Sequence, residues 1–159
     1  MIEKYKNLIS SLKQSPLIIG DYLLTVSVEQ ANEIRRVNFW TICKHLSHLV
    51  QTQKLLYERI LKFKNEDNPV IKPYFPDKDE IEKNDLGVPE LIEKFKAIRN
   101  DQIELLESLS EKDFRKKAVH EEYKKYDLEI IMNHILFHDY WHMYRIEELL
   151  LTKDEYLSE

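Results

Sequence analysis

Residues 138 to 142 read HDYWH, two histidines four positions apart. On an α-helix such positions lie ~40° from each other, so His138 and His142 project from one face, one above the other. This is a ligand spacing, and imidazole suits Zn, Ni, Fe and Cu. A pair alone holds a cation weakly, because functional metal sites usually take at least three protein ligands. The remaining histidines, His45, His48, His120 and His134, are the available partners.

These side chains need rigid elements to position them, and the sequence supplies helices. There are only two glycines, Gly20 and Gly87, and no Asn-Gly or Asp-Gly pair. An all-β chain would need many more tight turns with positive φ. From residue 41 to 63 an apolar stripe runs Ile42, Leu46, Leu49, Leu56, Ile60 and Phe63, interrupted by Gln53. A second long helix is expected over 128 to 151 on Ile131, Ile135, Ile146 and Leu149, with Asp127 as its N-cap. A third should run from about 88 to 109 with Pro89 in its first turn and Leu91, Phe95, Ile98, Ile103 and Leu106 as its apolar positions. The N-terminal helix uses Ile2, Tyr5, Leu8, Ile9 and Leu12, with Pro16 expected to interrupt it and a second, offset piece to follow towards Leu24. Residues 64 to 87 hold three of the five prolines and many charges. They read as a long extended connector lying over the bundle, first as a mobile surface loop and, as the alternative, as part of a pocket mouth. The expected architecture is all-α, a four-helix bundle with one long crossover loop, and such folds build metal and ligand sites on their inward faces.

Bulk properties narrow the function. The 159 residues fit a single domain, and a 43% hydrophobic content is enough to bury a core. A net charge of −5 without a long basic run argues against nucleic acid or an anionic membrane surface as partner. The N-terminus breaks its apolar residues with charges and carries neither a signal-peptide core nor a membrane span, so a cytoplasmic protein is expected. One cysteine, Cys43, excludes an internal disulfide framework and reads as a small core residue.

Within the last helix, His138 and His142 lie within ~20° of the stripe centre at Ile131, and His134 lies ~60° away, at the rim. Two stacked imidazoles in a hydrocarbon core need a cation or a polar network to take their lone pairs. The third ligand is sought in WTICKHLSHL, residues 40 to 49. Relative to Ile42, His45 lies ~60° from the stripe centre and His48 ~120° on the same side, so periodicity favours His45. His120, before Glu121 and Glu122 in a polar loop, reads first as a solvent-facing loop histidine and, as the candidate catalytic residue, as a general base or a partner of a metal ligand at the open end of the bundle. Tyr123, Tyr126, Tyr140 and Trp141 read as packing residues.

Taken together, a tryptophan followed by a hydroxyl residue, with His-Leu beginning eight positions after Trp40, and the stretch HILFHDYWHMYRIEELL resemble the two metal-site motifs of the DinB/YfiT-like superfamily. The resemblance extends to the stretch VHEEYKKYDLEIIMNH. It assigns the ligands to His48, His138 and His142, leaves His45 at an ordinarily apolar position and places Ile146 on the isoleucine of the second motif. Arg145 stands where the family usually has glutamine, and Lys44 where a capping carboxylate is common. The resemblance implies a four-helix bundle holding one divalent cation, Zn or Ni, often as a homodimer. It further implies a small-molecule substrate, with metal-dependent transfer to or from a low-molecular-weight thiol, or hydrolysis, as the reaction. The runner-up is a non-enzymatic bundle that binds a structural cation or a small ligand. HDYWH also has the spacing of the zinc-protease HExxH motif, but Asp139 is a carbon shorter than the general-base glutamate and only 17 residues follow His142.

Overall fold

The computed structural model describes residues 3–74 and 86–158. Its helices are α1 (Lys6–Tyr22), α2 (Val28–Asn32), α3 (Ile42–Asn65), α4 (Val88–Ser108), α5 (Glu111–Arg115) and α6 (Leu128–Leu151). Two two-residue strands, β1 (Val70–Ile71) and β2 (Val119–His120), accompany them. The four long helices form a bundle in which α3 packs against both α4 and α6, and α1 against the same two. The stripes of α3 and α6 therefore face each other, as their periodicity requires. Segment 75–85, the middle of the expected extended connector, lies outside the described residues.

Local chemistry explains the helix ends. Thr41 caps α3 by accepting from the Lys44 backbone N–H at 3.2 Å, and with lysine at that third position no side chain returns the bond. The two short helices, missed by the stripe analysis, are each closed by a full capping box, Ser27 with Gln30 and Ser110 with Asp113. Asp127 caps α6, accepting from the Ile130 N–H at 3.0 Å and from Lys117 Nζ at 2.6 Å. Burial works against the charge of Asp127, but Lys117 and the backbone donors outweigh it and hold its carboxyl below the usual value. A depressed carboxylate stabilises the fold above its unfolded pKa near 3.9, and the contribution is lost as pH falls through the folded value. Asp127→Ala should therefore cost about 1 kcal/mol at neutral pH. In urea titrations the gap between wild type and variant should close in acid, and a gap independent of pH would show that the cap does not need its charge.

Pro16 does not break α1, which runs through it. A proline deprives the carbonyl four residues earlier of its usual donor, and that carbonyl, on Leu12, accepts instead from Arg99 Nη1 on α4 at 2.9 Å. Gly20 serves the same helix pair, since a Cβ there would come within 3.1 Å of Ile92 Cγ2.

The contact between Leu12 and Arg99 belongs to a polar layer across the middle of the bundle. On one side is an apolar cluster that includes Leu12, Ile60, Phe63, Leu106 and Ile131, and on the other a cluster with Ile19, Leu46, Leu49, Phe95 and Ile146. Between them each long helix contributes buried polar residues: Ser15, Gln53, Arg99 with Gln102, and Asp139 with His142. Arg99 is 1% exposed and lies in the α4 stripe where Ile98, expected as a core position, is only half-buried. Its guanidinium meets Asp139 at 2.9 Å and donates to Ser15 Oγ (2.9 Å), Gln53 Oε1 (3.1 Å) and Gln102 Oε1 (2.9 Å).

The strands form a minimal parallel bridge, pairing Val70 with Val119 and Ile71 with His120. Alternate side chains of a strand point to opposite faces, so Val70 and Val119 face solvent while Ile71 and His120 turn inward. His120, read as a polar-loop residue, is in fact a buried strand residue.

Candidate metal centre

Three imidazole nitrogens converge between α3 and α6. His138 Nε2 lies 3.1 Å from His48 Nε2 and 3.2 Å from His142 Nε2, and the potential ligand atoms of all three residues fall within 4.8 Å of one another. Ligand nitrogens ~2.05 Å from a tetrahedral zinc would be ~3.3 Å apart, so the spacing suits one small cation. Hydrogen bonding alone does not suit it as well. Each ring nitrogen has a single in-plane direction, either a proton or a lone pair, so His138 Nε2 cannot serve two neighbouring nitrogens properly. One cation between them would take all three lone pairs.

The site keeps those lone pairs free. Burial lowers the pKa of His48, and burial followed by the neighbouring His48, His134 and Arg99 lowers His138 to about 4. His142 is pushed down as well, by burial first and then by His138, His45 and His48. All three rings are therefore neutral near pH 7, the form that binds metal.

His45 stands behind this group. Its Nδ1 lies 2.8 Å from His142 Nδ1. With His142 Nε2 presenting a lone pair to the centre, His142 Nδ1 carries the proton and donates it to His45, which fixes the tautomer and ring orientation of His142. Burial, then Arg145, His48 and Lys44, hold His45 down at about 3, which leaves it able to accept. His138 Nδ1 is buried without a hydrogen-bond partner among the described residues. Trp40 covers the group, its ring centroid 5.1 Å from that of His48 and 6.1 Å from that of His142. The left-handed backbone of Asn38, at φ 68°, turns the chain just before it.

The structure thus brings His48, His138 and His142 together and sets His45 one layer back. Periodicity preferred His45 because it treats the stripe as having one centre. A helix packed against two neighbours has an inward side wider than one stripe, and on it both histidines reach α6, His45 at His142 Nδ1 and His48 at His138 Nε2. His134 is exposed, its ring centroid 6.4 Å from that of His138. Asp139 points away from the centre into the polar layer, accepting from Ser15 Oγ at 2.6 Å, which removes it as an HExxH-type base. Arg145 also turns away, bonding Glu148 Oε2 at 2.6 Å and the Ser158 carbonyl. Of the aromatic residues expected to pack, Tyr126 is buried, but Tyr140, Trp141 and Tyr123 are exposed. Cys43 is half-buried rather than fully in the core. The polar layer is the feature the sequence reading missed, and its signal was Gln53 interrupting the α3 stripe.

A cavity of about 200 Å³ opens beside the triad, walled by His48 and His138 and reaching His120, His134, Tyr74 and Arg59. Pro73 and Tyr74, at the start of the long connector, contribute to it. His120 stacks on Tyr126 with centroids 4.6 Å apart, and its Nδ1 accepts from the Glu122 N–H at 3.1 Å. The proton of the neutral ring is thereby assigned to Nε2.

Comparison with known proteins finds a family and relatives for the chain. A family model described as the DinB superfamily matches residues 20–146. A protein of Oceanobacillus iheyensis named "Putative metal-dependent hydrolase" is 26% identical over 151 residues, covering 92% of this chain and 86% of that protein. The solved structure of YfiT from Bacillus subtilis, described as a probable metal-dependent hydrolase with an unusual four-helix bundle topology, superimposes with a TM-score of 0.76. It has 20% identity and covers 94% of this chain and 87% of YfiT. Among the described residues no helix is long and apolar enough to cross a membrane.

Proposed function

Because the chain belongs to the DinB superfamily, we propose that it is a divalent-metal-dependent hydrolase whose cation, Zn or Ni, is held by His48, His138 and His142. The convergence of three neutral imidazoles beside an open cavity carries this reading. A bound cation supplies Lewis acidity, polarising a carbonyl or phosphoryl oxygen and acidifying water. The chain's own residues do the rest. His45 orients His142, and Trp40 limits water access from one side. His120 presents its Nε2–H to the same cavity, where it can donate a hydrogen bond to a developing oxyanion or leaving group, and is the proposed catalytic residue. Three protein ligands leave a coordination position open, the arrangement of catalytic rather than structural zinc.

The test is turnover of a panel of activated carboxylic and phosphoric esters by metal-loaded protein. Chelation should abolish hydrolysis, Zn or Ni should restore it, and His120→Gln should slow it without lowering metal content. Equal rates with and without chelator would leave a structural cation as the better reading. Thiol transfer, expected from the resemblance, draws no support from relatives named as hydrolases. The same preparation given a small thiol and an alkylating electrophile should show no chelator-sensitive reaction, and a clear one would move the assignment to thiol transfer.

A further inference from the structure

The cavity beside the triad ends at a guanidinium for which the metal reading has no use. Arg59 follows His48 on α3 by 11 residues. Over that interval a helix advances ~16 Å and returns to within ~20° of the same direction, so the two residues share one face about three turns apart. Thr52 and Leu55 lie between them on the cavity floor, and His134 and His138 of α6 form the opposite wall.

Arg59 is half-buried and pinned. Its Nη1 donates to Tyr126 Oη at 3.2 Å and its Nη2 to the Lys72 carbonyl at 3.0 Å. Both acceptors are neutral, and Arg59 forms no ion pair among the described residues, as is also true of the half-buried Arg36, which bonds backbone carbonyls near the C-terminus, whereas Arg35, Arg99 and Arg145 each meet a carboxylate. Glu122, the one acidic residue of the lining among the described residues, is solvent-exposed. A guanidinium has five N–H donors and cannot lose its charge, so donors and a net positive charge remain for a ligand. Its field is felt inside the cavity, where it joins burial in holding His134 down. A volume of about 200 Å³ lies below the ~300–1,000 Å³ typical of pockets for drug-sized ligands, which restricts the occupant to a small molecule.

We propose that Arg59 binds a compact oxyanion, a carboxylate or phosphate group, at one end of a small substrate whose reactive group lies against His48, His138 and His142. This deepens the hydrolase reading by naming the charge of its substrate, and it rests on that reading only for the reactive end. Tyr126 and the Lys72 carbonyl hold the guanidinium in place, so the fork is organised before the ligand arrives.

The first measurement needs no metal. Chelator-treated full-length protein is titrated with glutarate and, separately, with inorganic phosphate, and amide shifts are followed by NMR. Saturable shifts at Thr52, Leu55, Arg59 and His134 are expected, with the tighter probe identifying the anion. Arg59→Met should weaken binding about tenfold or more, the loss of a charge-assisted hydrogen bond, and Arg59→Lys should fall between the two. The second measurement compares a short alkyl hydroxamate with the same molecule bearing a terminal carboxylate, using metal-loaded protein. The carboxylate should improve affinity in wild type and confer no advantage in Arg59→Met. Hydroxamates that fail to bind while the oxyanions still bind at Arg59 would sink the metal reading and leave the anion site standing. Shifts elsewhere or none, together with hydroxamates indifferent to the carboxylate, would overturn the proposal and leave the metal reading intact.

Discussion

His142→Ala is expected to leave the protein without stoichiometric metal, whereas His45→Ala should retain the metal with affinity lowered only ~10 to 100-fold. The two residues differ in what their nitrogens face. His142 Nε2 lies 3.2 Å from His138 Nε2 within the triad, while His45 reaches the group only through the contact of 2.8 Å between its Nδ1 and that of His142. Removing the first deletes a ligand and reduces the site to a pair, and removing the second frees a tautomer and a ring orientation. His48→Ala and His138→Ala should behave like His142→Ala. Metal analysis of protein purified without an affinity tag, followed by competition titration, separates the classes. A His45→Ala protein empty of metal beside a fully loaded His48→Ala protein would reverse the assignment. The pH dependence has a definite sign. Protons compete with metal only below the pKa of the folded rings, and burial holds His138 at about 4 and lowers His48 and His142 as well. Affinity should therefore fall less between pH 7 and 5 than for a site of solvent-exposed histidines titrating near 6.5.

Arg99→Met should destabilise the fold by about 3–5 kcal/mol, the cost of breaking a buried pair and leaving one charge uncompensated. Asp139 is 0% exposed, and although burial pushes its carboxyl up, Arg99 cannot give up its own charge and so keeps the carboxylate as its partner. The substitution also takes a donor from Leu12 O, Ser15, Gln53 and Gln102, and so loosens all four long helices at one level. Arg99→Met combined with Asp139→Leu should cost less than Arg99→Met alone, since no unpaired charge remains. Urea denaturation of the two variants checks both statements. A single-variant loss below about 1 kcal/mol would mean that water or rearrangement satisfies Asp139, against the mutually paired layer described above.

The polar layer has a bearing on the site. His138 and Asp139 are neighbours on α6 but point in different directions, one towards α3 and the cavity, the other towards Ser15 and Arg99. Holding Asp139 fixes the rotation of α6 about its axis, which aims His138 and His142.

The identity of α3, α4 and α6 was a local matter, and the sequence alone was enough to determine it. The 3.6-residue stripes, the Asp127 cap and the scarcity of glycine specify α3, α4 and α6 to within a residue or two, because caps and periodicity depend on residues that are near in sequence. The inward direction of His138 and His142 follows from the same periodicity, and the family motif around Trp40 picks out His48. Tertiary structure decided what depends on neighbours from other elements. Pro16 sits inside a continuous helix because Arg99, 83 positions away, takes the carbonyl it frees. His120 reaches the cavity because a bridge of two residues ties it to Ile71. His48 reaches the triad, although it lies far from the stripe centre, because α3 is wedged between α4 and α6 and its inward side is wider than one stripe, while His45 meets His142 from behind. A single helix carries no information about how many partners it will have, and only packing supplies that.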